Sequence, residues 1–174
     1  MDPVSTIGHS TRTFEQFAHL LHVNEIRHLA DVRRFSGSRR YPQFGRDVLP
    51  EELYDACDIG YSHLPGLGDR RDPRQDSLND GWRNSSFRGY ADHMATAEFG
   101  EGLARLIELC NAERVCLMCS EAVWWRCHRR MIADALVVRG FSVEHILGEG
   151  RRQTHTLTPW AEVEAGTGLI YPAG

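Results

Sequence analysis

Within eleven residues the chain places Cys119, Ser120, Glu121, Arg126, Cys127, His128 and Arg129, which together offer two thiols, a carboxylate, an imidazole and two guanidinium groups. Three chemistries fit this set. A thiolate at Cys119, stabilised by backbone amides and arginine, would act as a nucleophile. Cys116, Cys119, Cys127 and His128 nominally supply four soft ligands for zinc. Glu121, or Asp31 from an earlier segment, would serve as general acid or base, with His9, His128 and the arginines holding substrate and the cysteines only packing. Geometry counts against zinc, because residues three apart on a strand point to opposite faces and adjacent helical residues diverge by about 100°. No metal or other cofactor is expected.

The second concentration of chemistry is charge. All 20 basic residues are arginine, in a chain of 174 residues with net charge −4. The absence of lysine excludes side-chain Schiff bases, pyridoxal-phosphate enzymes and Walker-type phosphate loops, each of which needs an amine. Arg33, Arg34, Arg39, Arg40 and Arg46 fall in one 14-residue stretch that contains no acid. Guanidinium forks bind phosphate or carboxylate with two prongs, and a helix beginning at Cys127 adds its own anion preference, so an anionic, phosphate-bearing ligand is expected. Phe35, Tyr41, Phe44, Trp82, Phe87, Tyr90, Trp124 and Trp125 are interleaved with this charge and would either stack on bases or pack the loops onto the core. Between Leu64 and Tyr90 five further arginines are nearly offset by Asp69, Asp72, Asp76 and Asp80, which suits a lid or shaping loop fixed by internal ion pairs.

The elements that must position these groups follow from periodicity. Val4 to Ile7 reads as a strand, and Thr13 with Gln16 forms a capping box for a helix through about Val23. Ile26 to Val32 is a second strand, Pro50 opens a helix ending near Gly60, and Tyr61 to Leu64 is a third strand. The segment 65–86 is rich in Gly, Asp, Asn and Pro and long enough to suggest a functional loop. Phe87 to about Asn111 is helical in two pieces meeting near Ala97 to Gly100. Val115 to Met118 is apolar on both parities, as a covered parallel strand should be. A helix from about Cys127 to Arg139, closed by Gly140, leads into a fifth strand, Phe141 to Leu147.

This order predicts a single-domain α/β sandwich with a mainly parallel sheet of about five strands and helices on both faces. Residues 1–150 would form the α/β domain and 151–174 a tail packing on it. Ligands of such sheets bind beyond the carboxyl ends of the strands. The residues there are His9, Ser10, Thr11, Asp31, Arg33, Arg34, Ser38, Arg39, Arg40, His63, Cys119, Ser120, Glu121, Cys127, His128 and Arg129, with Phe44, Arg88 and Tyr90 added as substrate-binding candidates from the flanking segments.

Two resemblances bear on the site. A cysteine closing a central strand, then a loop, then a cationic helix start resembles the layout of rhodaneses and cysteine-dependent phosphatases. Six residues separate Cys119 from Arg126 where the phosphatase loop has five, and this loop contains no glycine. More specifically, Thr6-Ile7-Gly8-His9-Ser10, Asp31-Val32-Arg33, Ser38-Arg39-Arg40, Pro42-Gln43-Phe44, Leu67-Gly68, Phe87-Arg88-Gly89-Tyr90-Ala91-Asp92 and Leu117-Met118-Cys119-Ser120-Glu121 with Cys127-His128-Arg129 resemble the bacterial and archaeal "domain of unknown function 488" family. The resemblance runs from about residue 5 to 147. It implies a stand-alone α/β domain whose motif residues coincide with the rim above. Ser36 stands where a proline is expected, and Asp69 where glycine is frequent.

The expectation carried forward is an enzyme acting on a nucleotide or nucleic acid, with Glu121, Asp31, Cys119 and His128 as the catalytic candidates. Base removal or repair-type processing would use carboxylate-activated water, since no lysine is present to form a Schiff base. The alternatives are a Cys119-dependent sulfurtransferase or phosphatase, and a non-catalytic anion- or nucleic-acid-binding module. No stretch is long enough for a membrane span and Met1 to Ser10 lacks signal-peptide character, so a cytoplasmic protein with reduced thiols is expected.

Overall fold

The computed structural model describes residues 1–37 and 39–174. Three of the five α-helices begin where a side chain satisfies free amides. Thr13 and Gln16 cap one another at the start of α1, Phe14–Val23. Pro50 sits in the first turn of α2, Leu49–Cys57. Asn84 accepts two amides to open α3, Ser85–His93, and Thr96 caps α4, Ala97–Ala112, so the break between them lies at 94–96 rather than at Ala97 to Gly100. The last helix, α5, spans Arg129–Val137. Its start differs from the expected Cys127, because a one-turn 3-10 segment at Trp124–Arg126 leaves Cys127 extended and makes His128 the cap.

The strands are β1 Val4–Gly8, β2 His28–Asp31, β3 Gly60–His63, β4 Val115–Cys119, β5 Val143–Gly148 and β6 Arg151–Thr154. They form one six-stranded sheet in the order β3-β2-β4-β1-β5-β6, in which the first five strands are parallel. The five parallel strands are those expected from the sequence, and a sixth is added at the edge. Its four residues are all exposed and carry no apolar alternation, so it joins as the antiparallel edge through backbone bonds, with Arg152 also pairing Glu144 of β5. A small hairpin, β7 Glu162–Val163 with β8 Leu169–Ile170, lies in the segment after it. No helix among the described residues is long and apolar enough to cross a membrane.

The sheet is covered on both faces. Ile7, Leu29, Cys116, Met118 and Ile146 pack with α1 and α2 side chains on one face. Val4, Ala30, Leu117, Cys119 and Val143 pack with side chains of α4 and α5 on the other. Strand parity therefore puts Cys116 and Cys119 on opposite faces. Parallel strands end together at one edge, and two loops cross closely there. A Cβ on Gly8 would sit 1.9 Å from the Glu121 carbonyl oxygen, so glycine is what lets the loop after β4 fold over the end of β1.

Candidate active site

Beyond the carboxyl ends of β2 and β4 lies a cavity of about 290 Å³. Buried Cys119, Cys127, His128 and Tyr90 line its inner part, while exposed Phe35, Arg70, Ser120, Glu121 and Arg126 line its mouth, with Arg33, Asp69, Ser86 and Phe87 between. Cys119 closes β4 and Cys127 precedes α5, and the crossing loop brings their sulfurs to 2.9 Å. That is well inside the separation of two thiols in simple contact.

Arg129 completes the inner wall from behind. It is fully buried. Its Nη1 donates to Cys119 Sγ at 2.7 Å and to the Glu121 carbonyl, Nη2 donates to the Ala122 carbonyl, and Nε donates to Thr6 Oγ1. Among the described residues no carboxylate forms a salt bridge with it. A guanidinium cannot shed its proton, so the thiols are the groups able to balance it. Burial pushes the Cys127 thiol up, but the Cys119 S–H, the Arg129 charge and the Arg129 backbone N–H outweigh it and bring Cys127 below the ordinary thiol range. Burial and donation to Cys127 push Cys119 well up. When the pair loses a proton, it therefore leaves from Cys127, and Cys119 keeps its own and donates it to the thiolate.

His128 is oriented to take part. Its Nε2 bonds the Val32 carbonyl at 3.0 Å, which can only accept, so the proton sits on Nε2 and the Nδ1 lone pair faces Cys127 Sγ at 3.4 Å. The imidazole can accept the Cys127 proton and return it.

Arg33 forms the wall on the β2 side. Nε and Nη2 grip both oxygens of Asp31 at 2.9 and 2.8 Å, Nη2 also reaches the Phe44 carbonyl, and Nη1 faces His9 Nε2 at 3.4 Å. Burial lowers the Arg33 guanidinium and the Asp31 carboxylate more than reverses that. Asp31 also accepts the Tyr61 hydroxyl, so it is buried beneath Arg33 and does not line the cavity. His9 stacks on Phe44 with ring centroids 4.3 Å apart, and burial pushes it down to about 4.

The remaining residues singled out in the sequence lie elsewhere. Phe44 is fully buried against Phe17 and His9. Ser10 turns the chain with φ 50° and donates its N–H to the Ser120 carbonyl. Arg88 donates to the Trp82 and Arg83 carbonyls. Arg39 is exposed on a neighbouring groove with Arg34 and Arg46, and Ser38 lies outside the described residues.

Behind Arg129 runs a chain that the sequence did not reveal. Asp134 Oδ1 accepts His155 Nε2–H at 2.8 Å, His155 Nδ1 faces His145 Nε2 at 2.9 Å, and His145 Nδ1 faces Thr6 Oγ1 at 2.6 Å. Thr6 in turn accepts from Arg129. One tautomer assignment runs every donor in a single direction from guanidinium to carboxylate. Burial, the neighbouring His155 and the Arg129 charge push His145 down to about 3. Trp124 stacks over His145 at 4.2 Å and covers the chain from the loop side. Thr6 and His145 are paired across β1 and β5, so the relay crosses the sheet under α5.

A family model described as "Domain of unknown function DUF488" matches residues 13–136. No curated protein and no solved structure is similar enough to match.

Proposed function

The chain belongs to the DUF488 family, and from the pocket at its sheet edge we propose that it is a thiol-dependent enzyme that moves sulfur from a small anionic donor to an acceptor thiolate. The observation that carries this reading is the contact of two thiols beside a buried arginine that has no carboxylate partner among the described residues, at the inner end of an arginine-walled cavity.

The Cys127 thiolate attacks the outer sulfur of a thiosulfonate-type anion. A new sulfur–sulfur bond forms on Cys127, and the donor's bond breaks with its electron pair leaving on the sulfinate. An acceptor thiolate then takes the outer sulfur and restores the Cys127 thiolate. Arg33, Arg70 and Arg126 face the cavity where the donor's oxygens would lie. Phosphate-ester hydrolysis suits the loop less well. Glu121 and Ala122 turn their carbonyls to Arg129, and the Val123 N–H is taken by the Glu121 side chain, which leaves this stretch short of the inward amides of a phosphoryl cradle.

A second reading is supported by a separate observation. Phe35 is 60% exposed at the mouth, with the Arg34 and Arg70 guanidinium groups 5.3 and 5.6 Å from its ring, and among the described residues Arg34, Arg39 and Arg46 form no salt bridge. This surface suits a nucleotide or single-stranded nucleic acid, with Glu121 activating water.

One assay separates the two. With methanethiosulfonate as donor and cyanide as acceptor, thiocyanate should form, Cys127→Ser should abolish it and Glu121→Gln should leave it within about twofold. Retention by Cys127→Ser would overturn the thiol reading. Single-stranded oligonucleotide binding that weakens steeply with salt would support the second, and salt-indifferent binding would sink it.

A further inference from the structure

We propose that Cys119 and Cys127 form a reversible dithiol–disulfide couple oxidised by hydroperoxides, independent of whether the pocket transfers sulfur. The sulfurs are 2.9 Å apart, and a disulfide bond is about 2.05 Å long, so closure needs a movement of under about 1 Å. The flanking backbone allows it, because residues 120–126 between the two cysteines form a short, mostly exposed loop. Both thiols also line the cavity, so a small oxidant reaches them from solvent.

The chemistry balances in two steps. The Cys127 thiolate attacks one peroxide oxygen, the O–O bond breaks, and hydroxide or alkoxide leaves and takes a proton, giving a sulfenic acid. Cys119 then attacks that sulfur and displaces hydroxide, which leaves as water once protonated by the Cys119 proton. Two thiols and one hydroperoxide become one disulfide, one water and one alcohol or second water. His128 Nδ1, 3.4 Å from Cys127, is placed to carry the proton between these steps.

The other cysteines are internal controls. Cys116 lies on the opposite face of the sheet, where burial pushes its thiol far up. Cys110 is pushed up to about 12 by burial. Forming the disulfide removes the ionisable thiols beside Arg129, which favours the reduced form and makes the bond easy to reopen with glutathione.

The test uses the full chain and hydrogen peroxide. Two of the five thiols should be lost, and both should return with reduced glutathione. Trypsin cuts after Arg114, Arg126 and Arg129, so the oxidised protein should yield 115–126 joined to 127–129, two mass units below the sum of the free peptides. In Cys119→Ser the cross-link should vanish while dimedone traps a sulfenic acid on Cys127. Trp124 and Trp125 lie in the closing loop, so a fluorescence change should accompany oxidation of the wild type and be absent in both single serine variants. Oxidation of Cys127 to sulfinic acid without a cross-link, or thiol loss confined to Cys57 and Cys110, would overturn the proposal. Thiocyanate formation can fail while the cross-link forms, and the reverse, so the two readings stand or fall separately.

Discussion

Arg33 and Arg129 are both buried at the carboxyl end of the sheet, one following β2 and lining the cavity, the other opening α5 and lying behind the cavity's thiols. Arg33 is held by both oxygens of a buried carboxylate, Asp31, and by one carbonyl. Arg129 has two carbonyls, one hydroxyl and a thiol. A buried charge is tolerated when it is paired and fully hydrogen-bonded. Arg33 meets that condition with a carboxylate gripped at both oxygens, so its partner is fixed by the fold. Arg129 meets it only if a neighbour ionises, and the ionisable neighbours are cysteines. The same residue type thus builds a rigid wall on one side of the pocket and a reactive centre on the other.

The largest expected effect comes from breaking the balanced side. Asp31→Asn keeps the shape and removes the anion, leaving the Arg33 charge buried and unpaired. Loss of one partner of such a pair costs about 3–5 kcal/mol, which for a chain of this size lowers the melting temperature by about 10 °C. Thermal denaturation checks this, and a shift of under about 3 °C would mean that Asp31 is not what balances Arg33.

Next in size is a double-mutant cycle on the unbalanced side. Cys119→Ala and Cys127→Ala each leave one thiol able to ionise beside Arg129. The double variant leaves none. Its loss of stability at pH 8 should exceed the sum of the single losses by about 1 kcal/mol or more. Strict additivity in urea denaturation would show that the Glu121 and Ala122 carbonyls satisfy Arg129 without a thiolate.

The balanced side was largely legible in the sequence, and half of the other side was not. Asp31 and Arg33 are two residues apart, and strand-end position brought both into view together with Cys119, Cys127 and His128. Their division into cavity-lining and supporting groups was not visible, because it depends on which way each side chain leaves the strand end. Glu121 and Asp31 look alike as sequence, yet one is exposed at the mouth and the other buried under Arg33. The relay was invisible for a different reason. Thr6, His145, Asp134 and His155 come from four separate elements, and only the pairing of β1 with β5 and the placing of α5 over them brings the four together. His155 in particular lies in the segment after β6, which has no periodicity to place it. The sixth strand was missed because an exposed polar edge strand carries no hydrophobic pattern.

The effect that emerges only in acid, and that asks whether the two sites differ there, comes from their histidines. His9 accepts from Arg33, and His145 is joined through Thr6 to Arg129. Both are neutral in the fold, at about 4 and about 3 against an ordinary 6.5. The unfolded chain therefore takes up their protons first as pH falls, so stability declines below pH 6.5, by up to about 1.4 kcal/mol per pH unit for each histidine. His9 stops contributing near pH 4 and His145 near pH 3. His9→Gln should remove one proton of slope between 6.5 and 4, whereas His145→Gln should remove one over the same range and also flatten the curve below 4. Urea denaturation at successive pH values reads both. Equal curves for the two variants below pH 4 would mean that the relay holds His145 no more firmly neutral than His9. A separation there would mean that the histidine beside the unbalanced arginine resists protonation further than the one beside the carboxylate-balanced arginine, as expected where burial is reinforced by the nearby Arg129 charge.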